Sequence, residues 1–172
     1  MIVTPDYCVT MARYNAWQNR QLRRIVEAMP DDAVRAERGA FFGSILATLN
    51  HILWGDRLWM AMFTGSEKPD VGIPGSVELT PSVPEWATQR FRVDGQLLIW
   101  AETLSALDLT GSLTWYSGAM GQEVTRPVSV CVMHMFNHQT HHRGQVHAML
   151  TAAGQKAPAT DLVFMPADGP WP

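Results

Sequence analysis

Five of the chain's six histidines fall in one stretch, "HMFNHQTHHRGQVHAML": His134, His138, His141, His142 and His147. A neutral imidazole is the commonest protein ligand for a metal ion and the side chain that titrates nearest neutral pH. If the stretch is helical, His138 and His142 stand one turn apart and about 40° from each other. The rise between them is about 6 Å, so both rings can close on one cation at Zn–N distances of about 2.1 Å. His134 lies about 40° to the other side of His138 and His141 about 60° away. Cys131, Met135, Gln145 and Met149 fall within about 60° of His138, and the two methionines mark that face as inward. His147, about 180° away, should face solvent or a neighbouring layer.

One helix supplies only two such ligands, so a third must come from elsewhere. The remaining imidazole, His51, sits midway along the apolar segment "SILATLNHILWGDRLWMAMF", with Ala47, Gly55, Leu58 and Met62 at helical spacing. A lone imidazole there either satisfies its nitrogens with protein partners or reaches a metal. Inward imidazoles carry a desolvation cost unless paired, and one cation offsets it for three together. "HQTHH" is not the protease pattern H-E-x-x-H, because position 139 is Gln and the carboxylate base is missing. The carboxylate-bridged di-iron pattern fails as well: the residues three before His51, His138 and His142 are Thr48, Met135 and Gln139, not glutamates.

Three neutral imidazoles leave a divalent ion one or two open positions, whereas closed structural zinc sites use four ligands and favour Cys. An open site lowers the pKa of bound water or holds a thiol as thiolate. The first reading is therefore a metal-dependent enzyme that activates water or a small thiol, with zinc favoured and nickel or iron(II) accepted by the same donors. The second is a non-enzymatic metal- or small-ligand-binding stress-response protein; the third leaves the imidazoles structural. Asn137, His141 and Gln145 are candidates to orient ligands or substrate, weighed against ordinary polar positions on a helix surface. Trp54, Leu58, Trp59 and Met62 either line a pocket or fill the core. No catalytic residue is assigned beyond the candidate metal ligands, and no residue is assigned to an organic cofactor.

The elements that must position these side chains are legible. "TPDYCVTMARYNAWQNRQLRRIVEAM" reads as an amphipathic helix capped by Thr4, with Pro5 in its first turn and a stripe through Tyr7, Met11, Tyr14, Trp17, Gln18, Leu22, Ile25 and Met29. "PDDAVRAERGAFFG" is a connector. Ser44 caps the second helix, and a Gly- and Pro-rich loop follows from Thr64 to Pro81. Ser82 and Glu85 form a capping box for a third helix whose apolar period continues to about Leu107. "SLTWYS" and "EVTRPV" flank "GAMG" as a small hairpin. The histidine-rich helix then runs from Val128 until Gly154, and the tail carries at most one turn, near "DLVFM". Four long helices imply an all-α, antiparallel-type four-helix bundle in one domain over residues 1–172, with the hairpin before the last long helix.

Composition narrows the setting. A net charge of −3, from 13 basic and 16 acidic residues, gives no electrostatic case for nucleic acid. The arginines Arg13, Arg20, Arg23 and Arg24 share one helix and read as a solvated face. Two distant cysteines, Cys8 and Cys131, suggest reduced thiols and a cytoplasmic home. No signal peptide or membrane span is expected.

"YNAWQNRQL", "NHILWGDRLW", "LTWYSGAMGQEVTRPV" and "NHQTHHRGQ" together resemble the DinB/YfiT-like family of metalloenzymes over most of the chain. The resemblance implies a four-helix bundle, a divalent metal on His51, His138 and His142, and a homodimer. In the His-His pair it gives the ligand slot to the second member, His142, and leaves His141 a neighbour. Some relatives transfer or isomerise small molecules with low-molecular-weight thiols, which implies a small-molecule substrate or thiol as partner.

Overall fold

The structure, a computed structural model, describes residues 2–118 and 120–169. It contains α1 (Pro5–Val26), α2 (Asp31–Arg35), α3 (Ile45–Thr64), α4 (Val83–Thr103) and α5 (Val128–Ala152), with a two-stranded hairpin β1 (Ser112–Ser117) and β2 (Gln122–Pro127) before the last helix. The expected caps set the helix starts. Thr4 Oγ1 accepts from the Tyr7 N–H, Ser44 Oγ from that of Ala47 and Ser82 Oγ from that of Glu85. Gly65 ends α3 at φ +71°, in the left-handed region where a side chain is strained. The strands pair antiparallel, Ser112 opposite Pro127 and Ser117 opposite Gln122; Ala119 of the turn and the last three residues of the tail lie outside the described residues.

The long helices form a ring in which α1 packs on α4 and α5, and α3 on α5 and α4. Their apolar faces gather into two clusters. One holds Leu22, Val26, Leu49, Leu53, Trp86, Val146 and Leu150; the other holds Cys8, Ala12, Met60, Leu97, Ala101, Val132 and Phe136. Helices α1 and α5 pass from the second cluster to the first, and α3 and α4 pass the other way. The bundle therefore runs up-down-down-up, and consecutive long helices are antiparallel except α3 and α4. Residues 65–82 must cross the length of the bundle between those two. This crossover contains a 3-10 turn, Ile73–Glu78, and is tied to α3. The Trp54 indole N–H donates to Val71 O at 2.7 Å, and the Asn50 amide donates to Val77 O and Thr80 O, both at 3.0 Å.

Between the clusters every long helix contributes polar side chains to one buried layer. Arg90 donates to Asp56 at 2.6 Å and lies 2.9 Å from Asp94. Asn15 and Asn19 each donate to Asp94 at 2.9 Å, the Gln139 amide donates to Asp56 at 2.8 Å, and Arg143 donates to Asn15. All seven residues are buried. Burial works against the Arg90 cation, but Asp94 and Asp56 outweigh it and hold its pKa above the usual value. Burial pushes the Asp94 carboxyl up in spite of Arg90.

The expected inward stripe of α1 holds in its middle, where Tyr14, Gln18 and Leu22 are buried, and fails at its start, where Tyr7 is 38% exposed. The buried face is broader and also takes in Cys8, Ala12, Asn15, Ala16, Asn19 and Val26. Asn15 and Asn19 belong to the polar layer, and a hydrophobic pattern cannot register them. The third helix also ends earlier than its apolar period suggests. It stops at Thr103, and Leu107, 77% exposed, opens a short 3-10 turn instead. The connector after α1 holds the short α2, and the expected turn in the tail is Leu162–Phe164.

Candidate metal centre

The middle of α3 and the middle of α5 face each other, which brings His51 opposite His138 and His142. One ring nitrogen of each lies within 4.8 Å of the others. His51 Nε2 and His138 Nε2 are 3.0 Å apart. Two imidazoles bound tetrahedrally to one ion at about 2.1 Å would stand roughly 3.4 Å apart, so the spacing already approaches that of shared ligation.

The hydrogen bonds fix which nitrogens face inward. The Ser76 hydroxyl donates to Ile73 O at 2.6 Å, so its oxygen accepts from His51 Nδ1–H at 2.8 Å, leaving His51 Nε2 unprotonated and accepting from His138 Nε2–H at 3.0 Å. His142 Nδ1–H donates to the Gln145 carbonyl oxygen at 2.8 Å, leaving its Nε2 unprotonated too. The Gln145 amide in turn donates to His141 Nε2 at 3.4 Å. Outer partners of this kind orient metal-binding imidazoles and raise their basicity.

Space and electrostatics agree with that donor set. Gly55 has no side chain for a reason: a Cβ there would stand 2.8 Å from His138 Cε1. Phe42 lies against the His51 ring at 3.9 Å between centroids, and Trp54 stacks on it at 5.6 Å. Burial, then the neighbouring His142, lowers the His51 pKa to about 4. Burial and the surrounding imidazoles lower that of His138 to about 3, and burial lowers that of His142. All three are therefore neutral at pH 7, the form in which imidazole ligates a cation. His138 Nδ1 is buried and has no hydrogen-bond partner among the described residues.

The other histidines stand apart. His134 is exposed on the hairpin side, its ring 5.2 Å from Trp59 and 5.8 Å from His138. His141 is exposed beside His142, and His147 reaches Pro158 O at 3.2 Å on the tail side. Of the three flanking candidates, Gln145 holds His142, His141 is linked through Gln145, and Asn137 is exposed. Trp54 is buried against His51, Trp59 packs on Trp115 of the hairpin, and Leu58 and Met62 are half-buried.

Sequence reasoning passed over Ser76 and Phe42, which reach His51 from segments read as loop and connector. Only folding brings them there. It also passed over Asp56, whose signal was available: a carboxylate inside the most apolar segment of the chain needs a buried partner.

Fold and centre together define a helical bundle with a three-imidazole cluster, His51 and His142 buried and His138 half-buried, able to hold a metal ion. The DinB family model matches residues 1–169, and the chain belongs to the DinB family. It is 24% identical over 161 residues to Protein DinB of Bacillus subtilis (strain 168), covering 91% of each chain. Its fold is similar to the crystal structure of a DinB-like protein from Bacillus cereus ATCC 10987, with a TM-score of 0.63 at 17% identity over 83% of this chain and 90% of that one. No helix among the described residues is long and apolar enough to cross a membrane.

Proposed function

We propose that this protein is a metal-dependent enzyme in which His51, His138 and His142 hold a divalent cation, with zinc the favoured ion, and that it works on a small-molecule substrate by hydrolysis or thiol transfer. The observation that carries the reading is the pair of unprotonated Nε2 atoms on His51 and His142, their rings held from outside by Ser76 and Gln145, in a cluster where one ring nitrogen of each of the three histidines lies within 4.8 Å of the others. A divalent cation bound by three imidazoles supplies an acidified water or a bound thiolate at neutral pH. The chain's own part is to keep the imidazoles neutral, hold the Nδ1 protons of His51 and His142 on Ser76 and Gln145, and shield His51 from water with Phe42 and Trp54. Asp56, one residue after Gly55, accepts from Arg90 and Gln139 and is committed to the polar layer.

The resemblance adds a homodimer to the proposal, which light scattering on purified protein tests. Two free, buried cysteines, Cys8 and Cys131, suit a cytoplasmic setting. The central test is metal content, measured on protein purified without an affinity tag or chelator. About one ion per chain is expected, falling to background in His142→Ala. A low content that added zinc, nickel and iron(II) cannot raise would overturn the proposal. A survey of hydrolytic and thiol-transfer substrates then separates an enzyme from a module that only holds a metal.

A further inference from the structure

The arginines of α1 make more than a solvated face. Arg20, Arg23 and Arg24 rise over a groove between α1 and α4 with a volume of about 360 Å³, on a face of the ring that α3 and α5 do not share. Ala16 and Ala87 line this groove, and their short side chains leave the space that larger residues would fill. Arg90 lines it as well. Its residue is 2% exposed, and its Nε has no hydrogen-bond partner among the described residues although its Nη1 is spent on Asp56. Phe91, 57% exposed, stands at the same groove.

The charges there do not cancel. Arg23 is paired with Glu27 at 2.8 Å and Arg90 with the buried carboxylates, which leaves Arg20 and Arg24 with no acidic partner among the described residues. Of the titratable residues lining the groove, four are cations and two, Glu27 and Asp94, are anions, an excess of two positive charges in a chain whose net charge is −3. A cleft with such an excess concentrates anions, and guanidinium groups suit planar or tetrahedral oxyanions. The volume falls in the range of small-ligand sites, about 300–1,000 Å³. The exposed Phe91 ring and the two alanines offer an apolar wall for a flat group.

We infer that this groove is a binding site for a small organic anion, a carboxylate or phosphate carried on a flat apolar group, separate from the imidazole cluster. A nucleic acid fits less well, because the positive charge is confined to one short stretch of an otherwise acidic chain.

The test is titration of the full chain with phenyl phosphate and with benzoate, which distinguish the two oxyanions, and with phenol as the neutral control. Binding is read by calorimetry and by chemical shifts of groove amides. The expected result is one saturable site for at least one anion, none for phenol, and weakening with salt. Arg20→Glu combined with Arg24→Glu should weaken it at least tenfold. Arg92→Glu, on exposed α4 outside the groove, should leave it unchanged. All variants should retain the wild-type circular dichroism spectrum, because each changed residue is at the surface. No saturable binding, or binding indifferent to the double substitution, would overturn the inference. So would a double variant that changes the oligomeric mass while the wild type binds neither anion, since the groove would then be a contact between copies.

Discussion

Two groups of polar side chains share the middle of this bundle, and they are completed in opposite ways. The layer formed by Asp56, Arg90, Asp94 and Arg143 with Asn15, Asn19 and Gln139 largely satisfies itself: Arg90 meets both carboxylates, Asn15, Asn19 and Gln139 donate to them, and Arg143 donates to Asn15. The imidazole cluster, whose members adjoin Gly55 and Gln139, does the reverse. Its outer hydrogen bonds, to Ser76 and Gln145, leave unprotonated nitrogens of His51 and His142 facing inward, where His51 and His138 share one hydrogen bond of 3.0 Å. A structural polar layer neutralises itself because buried unpaired charge is costly. A ligand site leaves its acceptors facing one another for something else to satisfy. The contrast yields measurable differences, because damage to the first should appear as lost stability and damage to the second as lost metal.

The largest effect should come from the layer. Asp56→Ala removes a carboxylate that is 0% exposed and leaves Arg90 and Gln139 short of a partner. A loss of about 3–5 kcal/mol is expected in urea unfolding of the metal-free protein, as for other broken buried pairs. A loss below about 1 kcal/mol would show that the layer does not satisfy itself as described.

The cluster's effect on stability should depend on pH. In the metal-free protein His51 has a pKa of about 4, against about 6.5 when unfolded, so between these values the unfolded chain binds the extra proton. The contribution is fully present above pH 6.5 and drains away as pH falls toward 4. His51 alone should account for about 2 kcal/mol by pH 5, and His138, lowered further, adds in the same direction. Unfolding midpoints of His51→Gln and the wild type from pH 7.5 to 4.5 check this: the slope should flatten in the variant.

Gly55→Ala sharpens the comparison. The added methyl meets the far end of the His138 ring at 2.8 Å, which can swing away without breaking the helix. Helix propensity even favours Ala by up to about 1 kcal/mol. Stability should therefore change little, while zinc affinity falls at least tenfold, measured by competition with a chromogenic chelator. Gln145→Ala should reduce affinity by roughly 10–100-fold through the freed His142 ring. Ser76→Ala should act similarly through His51, and neither should match the stability loss of Asp56→Ala.

How much of this could be read from the chain depends on what kind of contact was involved. Local contacts were legible: the caps at Thr4, Ser44 and Ser82, the hairpin strands, and the separation of His147 from His138 and His142. The opposition of α3 and α5 that brings His51 to them came through the resemblance rather than from spacing. The polar layer was invisible because Asn15, Asn19, Arg90 and Asp94 look like surface residues singly and become core only together. Ser76 was invisible because the crossover's path depends on α3 and α4 running parallel, and helix order alone does not give strand-like direction.

The smallest predicted effect tests the helical phase itself. His147 lies on the far side of α5 from the cluster and donates its Nε2–H to Pro158 O in the tail. His147→Ala should leave metal content and affinity unchanged and lower stability by about 1 kcal/mol or less, the worth of one part-buried hydrogen bond. The tail is also held by the Tyr14 hydroxyl on Thr160 O and the Gln18 amide on Ala159 O, so it should stay docked without the imidazole. Zinc lost from His147→Ala in proportion to zinc lost from His142→Ala would mean that the two rings act on one ion. The division between a face that waits for a ligand and faces that complete themselves would then be drawn in the wrong place on α5.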